Sequence, residues 1–454
     1  MSAATPAKLP PGPSPESWTA SFKIYSRDPL AYMPTLQRDY GDIVTMRYYS
    51  FRVYFISHPD YIEQVLVTDN RKFIKGRILR KNRQLFGNGL LTSEGDFWLR
   101  QRRLAQPAFH RARIATYADT MVRFASRMAS EWRGAGEERD IHAEMMRLTL
   151  SIVAKTLFDA DVDREAKRVG HALEAIMQLN SDFRKLILTP TWLPTPRKVR
   201  ATIATAKLNR IIYRFIDERR ATGIDNGDLL SMLLAARDDD GSRMTNRQLR
   251  DEAITIFLAG HETTANALSW TWMLLAQNPH VETKLHEELD RVLAGRAPTV
   301  DDLPILRYTG HVITESMRLY PPAWGMARVA IEDTEIAGYP IPKGCGVSLA
   351  QWVVHRDPRW FDAPLEFRPE RWEGDLLKRI PRFAYFPFGG GPRQCIGNNF
   401  AVMEASLLLA TLAQQFRISL LPGREIVPAA SITLRPKTGI WGKIEKRTGA
   451  TSAS

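Results

Sequence analysis

The feature that most constrains the fold is a helical pattern that starts at Thr245 and runs to Asn278, just before Pro279. Thr245 and Gln248 have the spacing of a capping box, which marks the start of the helix. Such a helix is roughly 50 Å long at 1.5 Å per residue. Residues 254–259 are apolar on every face, so the middle of the helix has to be buried. A mainly helical core is therefore expected around it.

The buried middle of this helix also carries polar residues, in the stretch Ala259-Gly-His-Glu-Thr-Thr264. Glycine and threonine are weak helix formers, and a glutamate is costly to bury, so this polar stretch inside an apolar helix calls for a cause. One interpretation is a groove where a small ligand and water meet an acid, Glu262, and a hydroxyl, Thr263. The alternative is a kink without function, with threonine hydroxyls bonded back to helix carbonyls. A His-Glu-x-x-His zinc motif is excluded because position 265 is Ala265.

A second constraint is the glycine-rich stretch Phe386–Gly397, which presents Cys395. An apolar, helix-forming run follows, so Cys395 is expected near a helix N-terminus, where unpaired N–H groups and the helix dipole favour a thiolate. Gly391 and Gly397 lack a Cβ, which would let a large flat group approach the backbone. Arg393 could hold an anion. The stretch therefore predicts a sulfur anion presented to a bulky ligand.

Composition narrows the class of protein. The two cysteines, Cys345 and Cys395, are too few for a disulfide framework, an iron–sulfur cluster or a structural zinc site, which suits a reduced, cytoplasmic setting. Cys345 is expected to be structural. The formal net charge of +13 suits an acidic protein, an anionic membrane or nucleic acid, or only a solvated basic surface. The dense basic run 71–83 has no nucleic-acid-binding motif beside it, so no nucleic acid partner is expected.

The domain organisation is expected to be simple. Residues 21–446 predict a single domain between a disordered proline-rich leader, 1–20, and a disordered tail, 447–454. No segment reaches the roughly 20 apolar residues that span a bilayer, so no transmembrane segment is expected. Residues 42–57 predict a β-hairpin. Prolines between Thr189 and Pro196 predict the turn of a helical hairpin.

Two pairs of side chains each share a helix face. Trp98 and Arg102, at i and i+4, either hold an anionic group or form a half-buried tryptophan with an arginine stacked on it. Glu315 and Arg318, at i and i+3, by themselves predict a surface salt bridge, which contributes little stability. Neither pair alone decides a function.

Four elements nevertheless stand in one order along the chain: the 259–264 stretch, Glu315-x-x-Arg318, Pro369-Glu-Arg371 and Phe388-x-x-Gly-x-Arg-x-Cys-x-Gly397. This combination resembles the cytochrome P450 family of haem-thiolate monooxygenases over nearly the whole chain, and the cysteine loop is its most specific part. The resemblance implies a mainly α fold with small β-sheets, the cytochrome P450 fold. Haem would be buried between the long central helix and the cysteine-loop helix.

The resemblance also implies a role for each matching residue. Cys395 would be the axial thiolate ligand of the iron of haem b, a ligand that favours O–O cleavage. Glu262 and Thr263 would be the catalytic acid–alcohol pair, with Glu262 passing protons from solvent. Glu315 and Arg318 would form a buried network with Arg371. The other residues implied in contact with haem are Trp98, Arg102, Arg328 and Arg393 at the propionates, together with Ala259, Gly260, Phe388 and Gly397.

The implied reaction inserts one oxygen atom from O2 into a C–H bond of a lipophilic small molecule, such as a fatty acid or a terpenoid. Electrons would come from NAD(P)H through a reductase and a ferredoxin or flavodoxin. Two alternatives stay open. One is a peroxide-driven relative, although such relatives generally lack the Glu262-Thr263 pair. The other is a non-catalytic haem protein, which needs no large apolar pocket.

The candidate pocket residues are Phe257, Trp324, Met326 and Ile432.

Overall fold

A computed structural model describes residues 9–48, 51–132, 136–159, 169–170, 172, 175–176 and 195–447. The predicted turn between Thr189 and Pro196 falls almost wholly outside these residues. Its last two residues are described, and there Thr195 caps a helix that begins at Pro196, accepting a hydrogen bond from the Lys198 amide at 3.3 Å. Within the described ranges, no helix combines the length and the apolarity needed to cross a membrane.

Helices dominate the fold, as expected. In chain order they are α1 (Trp18–Arg27), α2 (Pro29–Tyr40), α3 (Pro59–Glu63), α4 (Arg77–Lys81), α5 (Arg83–Phe86), α6 (Gly95–Ala105), α7 (Arg111–Ala115), α8 (Ala118–Trp132), α9 (Ile141–Phe158), α10 (Pro196–Thr222), α11 (Leu229–Ala235), α12 (Asn246–Gln277), α13 (Pro279–Leu293), α14 (Arg307–Leu319), α15 (Gln351–Val354), α16 (Leu376–Arg379) and α17 (Asn398–Ala413). A π-helical turn at Gln64–Thr68 follows α3.

The strands form small sheets at the edge of this helical body. They are β1 (Ile43–Tyr48), β2 (Phe51–Ile56), β3 (Phe73–Lys75), β4 (Glu138–Asp140), β5 (Met326–Ala330), β6 (Thr334–Ile336), β7 (Tyr339–Ile341), β8 (Gly346–Leu349), β9 (Phe416–Leu420), β10 (Pro428–Ala430), β11 (Leu434–Pro436) and β12 (Trp441–Lys446). The largest sheet has the order β1-β2-β8-β5-β3, in which only the β2–β8 pair is parallel. The predicted hairpin over 42–57 is its β1–β2 edge, with Ile43 opposite Ile56.

The central helix α12 confirms the predicted start and the predicted length. Thr245 and Gln248 form the capping box, with both reciprocal hydrogen bonds present. The helix then continues through 259–264 to Gln277, as the helical pattern predicted. Hydroxyl groups bond to its carbonyls in the polar stretch: Thr263 donates to Ala259 O at 2.6 Å, and Thr149 of α9 donates to His261 O at 3.0 Å. The threonines therefore use backbone acceptors without ending the helix.

Both termini of the domain lie further out than expected. The described part of the predicted leader is folded, since α1 begins at Trp18 and the Thr45 amide of β1 donates to Pro11 O at 2.8 Å. The expectation of disorder over 9–20 is therefore wrong. At the other end, Arg447 donates to Gln414 O at 2.8 Å and pairs with Asp290 at 2.7 Å. Residues 1–8 and 448–454 lie outside the described ranges.

A buried ionic network ties α14 to the chain that leads into the cysteine loop. The Glu315 carboxylate pairs with Arg318 and with Arg371, each at 2.8 Å, and it accepts a hydrogen bond from Trp372 Nε1 at 2.9 Å. Arg318 also donates to the carbonyl of Pro364 at 2.7 Å. Glu315 and Arg318 are fully buried, so the expectation of a surface pair from these two residues alone is wrong. The charges are buried because the network, unlike a lone pair, satisfies both carboxylate oxygens and both guanidinium groups.

Removing the central charge of this network should destabilise the protein strongly. Glu315→Gln keeps the shape of the side chain but leaves Arg318 and Arg371 buried without a counter-charge. Breaking such a buried network costs about 3–5 kcal/mol. We expect a clear fall in the urea midpoint of unfolding, followed by far-ultraviolet circular dichroism.

The matched control for Glu315→Gln is Asp375→Asn, which removes the acid of an exposed pair with Lys378. Asp375 has a positive φ of 58°, and asparagine tolerates this conformation. The control should have the same urea midpoint of unfolding as the unmodified protein, because an exposed ion pair contributes little stability. An unchanged midpoint for Glu315→Gln would show that the network does not hold the fold.

Candidate active site

The cysteine loop is closed by backbone hydrogen bonds. The Cys395 amide donates to Phe388 O at 3.0 Å, and the Gly389 amide donates to Phe386 O at 2.9 Å. Helix α17 begins three residues after the cysteine, at Asn398, with Gly397 as its N-cap. The Gly397 amide points to the Cys395 sulfur and stabilises its charged form. The loop therefore sets Cys395 just before a helix N-terminus, where the sequence predicted it.

Two glycines of this loop, Gly390 and Gly391, allow other parts of the protein to pack closely against it. A Cβ on Gly391 would lie 1.9 Å from the carbonyl oxygen of Leu66, and one on Gly390 would lie 2.3 Å from the Phe383 ring. The expectation that Gly391 lets a flat group approach is therefore wrong, because the segment around Leu66 occupies that side. Gly397 is the open position, where the nearest atom to a built Cβ belongs to Phe109, at 3.8 Å.

The Cys395 thiol lines an internal space: protein surrounds it, yet the residue remains accessible. Burial raises the pKa of this thiol, whereas the Gly397 amide and the positive charge of Arg102 act in the opposite direction. Desolvation therefore opposes the thiolate in the protein alone, whereas the Gly397 amide and Arg102 favour it. A bound metal cation would supply the missing stabilisation of the thiolate.

Cationic side chains converge beside the cysteine loop. Arg102 donates to Gln394 O at 2.8 Å, and the Arg393 guanidinium lies 4.2 Å from the centre of the Trp98 ring. Arg328 is close enough to Arg393 for their repulsion to add to burial, and together they lower the pKa of Arg328 to about 10. The structure therefore brings together the four residues, Trp98, Arg102, Arg328 and Arg393, that the resemblance assigned to the propionates.

Two further charged residues in this cluster were missed. Lys75 is buried and donates to Leu90 O at 2.9 Å, while burial and the charges of Arg393 and Arg328 lower its pKa to about 7. Glu94 forms an ion pair with Arg393. Lys75 belongs to the basic run 71–83, so the signal was present in the sequence. Nothing in that run marks which of its cations turns inward.

One face of the central helix is also open. Ala259 is exposed and Gly260 and Thr263 are partly exposed, although the residues around them in α12 are buried. At 100° per residue these three positions fall within a 100° arc of the helix, so this side of α12 is open. Gly260 also packs against α9, since a Cβ built on it would lie 3.3 Å from Val153. Glu262 turns away from Thr263 and is buried.

The candidate pocket residues divide into two groups. Phe257 is only 1% exposed and belongs to the core, so its assignment to the pocket is wrong. One residue corresponds to 100° of helix rotation, and the partly exposed neighbour Ile256 takes its place on the open face. Trp324, Met326 and Ile432 are partly exposed. Met326 reaches the cysteine loop, because a Cβ on Gly389 would lie 3.1 Å from its methyl group.

A buried acid that the sequence did not indicate lies between the central helix and the cysteine-loop helix. Glu404 of α17 is fully buried next to the Thr264 hydroxyl of α12, and burial raises the pKa of its carboxyl to about 8. Thr264 itself donates to Gly260 O at 3.2 Å. The polar stretch of the central helix therefore contacts the cysteine-loop helix directly.

The residues present fit a haem group. Among the described residues, no group of three or more His, Cys, Asp and Glu is placed to hold a metal ion, so a metal at Cys395 has to bring its other ligands with it. Four cations, Lys75, Arg102, Arg328 and Arg393, lie near the loop, and Glu94 pairs with one of them. This surplus of positive charge suits a ligand with two carboxylates.

Comparison with known proteins agrees with this geometry. The family model for cytochrome P450 matches residues 10–441. Cyclooctatin synthase of Streptomyces melanosporofaciens is 40% identical, covering 90% of each chain. Pentalenene oxygenase of Streptomyces avermitilis is 37% identical over 90% of this chain and 91% of its own. In the cyclooctat-9-en-7-ol 5-monooxygenase of S. melanosporofaciens, 38% of aligned residues are identical, over 87% of this chain and 86% of the relative.

The fold is similar to a solved structure as well. The crystal structure of the cytochrome P450DA heme domain superposes with a TM-score of 0.88 at 28% sequence identity, and the match covers 97% of this chain and 98% of that one. An accessible cysteine before a helix, an open polar face on the central helix and a family match along nearly the entire sequence lead to one conclusion. The chain belongs to the cytochrome P450 family.

Proposed function

We propose that this monooxygenase hydroxylates a cyclic, terpenoid-like hydrocarbon, with Cys395 as the axial ligand of haem b. The balanced reaction is R–H + O2 + 2 e⁻ + 2 H⁺ → R–OH + H2O. The observation that carries the proposal is that an accessible Cys395 thiol and an open face at Ala259, Gly260 and Thr263 occur together in a chain whose relatives oxidise terpenoids. Haem, when bound, supplies the activation of O2. The chain's own residues bind substrate and handle protons.

Loss of the proposed ligand should change the spectrum in a defined way. Cys395→Ala removes the thiolate, so the reduced carbonyl complex should lose the red-shifted Soret band that the thiolate causes. The matched control is Cys345→Ala, which removes the other thiol of the chain and should leave the band in place. A red-shifted band that persists in Cys395→Ala would disprove the assignment.

The proposed proton handling uses Glu262 and Thr263. Glu262 is buried, which raises the pKa of its carboxyl, so it keeps a proton at a higher pH than a free glutamic acid does. A carboxyl group that retains its proton in this way can act as a proton donor. Thr263 is on the open face with its hydroxyl 2.6 Å from Ala259 O, and its oxygen can accept a hydrogen bond from a water in the pocket. Glu262 would supply protons, and Thr263 would position the water that receives them.

Thr263→Ala should divert electrons from product to hydrogen peroxide. We expect the peroxide released per NAD(P)H to rise several-fold, because the water that Thr263 positions is lost. Thr271→Ala is the matched control: its hydroxyl makes the same bond to a helix carbonyl, Ala267 O at 2.7 Å, but the residue is fully buried. The control should release as little peroxide per NAD(P)H as the unmodified enzyme. If Thr263→Ala also matched the unmodified enzyme, the relay role of Thr263 would be excluded.

The substrate class is proposed from the pocket wall and the relatives. Trp324, Met326, Ile432 and Ile256 give the wall apolar, partly exposed side chains, which suits a lipophilic ligand. Two relatives are named for acting on cyclooctat-9-en-7-ol and on pentalenene. These observations favour a bulky ring system over a straight chain.

Cyclic terpene hydrocarbons should therefore shift the Soret band of the holoenzyme saturably, and straight-chain fatty acids of equal carbon number should not. The measurement is a spectral titration of both sets under one set of conditions. Tighter binding of the fatty acids would reverse the substrate assignment and leave the monooxygenase class intact.

Electrons are proposed to come from NAD(P)H through a reductase and a ferredoxin or flavodoxin in the cytoplasm. The net charge of +13 favours an acidic carrier, and the two free thiols suit a reducing compartment. Docking of opposite charges weakens as salt screens them, so turnover that is independent of ionic strength would count against this carrier.

A further inference from the structure

The turn between β10 and β11 is fastened to the body of the protein at three points. Trp324 Nε1 donates to Ser431 O at 2.8 Å, and Trp270 Nε1 of the central helix donates to Leu434 O at 3.1 Å. The Leu434 amide donates to Pro322 O at 2.8 Å. Residues 431–434 are therefore held rigidly against the central helix and against the segment that leads into β5.

This turn makes a direct contact with the proposed proton donor. The Thr433 hydroxyl donates to Glu262 Oε1 at 2.7 Å, and both residues are less than a tenth exposed. A hydrogen bond between buried polar groups is stronger than the same bond in water, and its loss leaves a buried acceptor without a partner. The neighbouring Ile432 is partly exposed, so the same turn carries a candidate wall of the substrate pocket.

Arg435 is the charged group that acts on Glu262 from this side. It is partly exposed on β11, and its positive charge favours the ionised form of Glu262. Two histidines lie within electrostatic reach of one another: His142 on α9, which also senses Arg435, and His261 on α12. Burial lowers the pKa of each to about 4, so both are neutral near pH 7. Thr433 contacts Glu262 directly, and Arg435, two residues further along the chain, is partly exposed.

We propose that Thr433 is a positioning residue that holds the Glu262 carboxyl against the turn between β10 and β11. The hydroxyl fixes one carboxyl oxygen, and the three anchors of the turn fix the hydroxyl. The proposed proton donor, Glu262, and the candidate pocket residue Ile432 are then held by the same turn. This inference rests on the proposed function, because it assigns the support of the same acid.

The test compares Thr433→Val, which keeps the shape and removes the donor, with Thr433→Ser, which keeps the donor. In the holoenzyme with a coupled substrate, Thr433→Val should raise the peroxide released per NAD(P)H several-fold, and Thr433→Ser should restore the parental ratio. In a Glu262→Gln background, Thr433→Val should add nothing. Because the lost donor stabilises the ionised carboxyl, the pH dependence of coupling should move to higher pH in Thr433→Val.

A second measurement does not depend on turnover. The urea midpoints of Thr433→Val, Glu262→Leu and the double variant should be non-additive, because each single change removes the one bond that the two side chains share. Additive midpoints together with parental coupling in Thr433→Val would overturn the inference. If Glu262→Gln itself leaves coupling unchanged, the proposed relay fails, whereas the urea cycle still decides whether Thr433 holds the carboxyl. Should Thr433→Val not bind haem, Thr433→Ala against Thr433→Ser makes the same comparison.

Discussion

Two arginines share the carboxylate of Glu315, and the cysteine side of the molecule depends on that arrangement. Arg318 reaches from α14 to the carbonyls of His355 and Pro364, while Arg371 holds Asp362 O at 2.6 Å. The chain between these points has little regular secondary structure, so charge-assisted hydrogen bonds from the two arginines to its carbonyls hold it in place. These bonds also help to position the cysteine loop that follows.

The sequence predicted what local physics decides. The capping box at Thr245, the β1–β2 hairpin and the helix after Cys395 all follow from residues close together in the chain. The continuity of α12 was predicted as well, but not that Thr149, over a hundred positions away, donates to a carbonyl of its polar stretch. A helix in the interior of a protein tolerates weak helix formers when its neighbours satisfy their polar groups.

The site itself was predictable only where a motif marks it. Cys395 and the Glu262-Thr263 pair stand in such motifs, whereas Lys75 and Glu404 acquire their roles through burial. The bond from Thr433 to Glu262 joins residues 171 positions apart, and no periodicity encodes it. Helix geometry favours a Cys395 thiolate, but the opposing effect of burial could not be predicted, because desolvation depends on the whole folded protein.

The contact between Gly391 and the carbonyl of Leu66 has a consequence for how the protein is made. The cysteine loop packs against the π-helical turn Gln64–Thr68, which is synthesised long before the loop. Closing so long a stretch of chain is slow and entropically costly. A substitution near Leu66 that displaces this turn would therefore disturb the cysteine loop, although the two segments are far apart in the sequence.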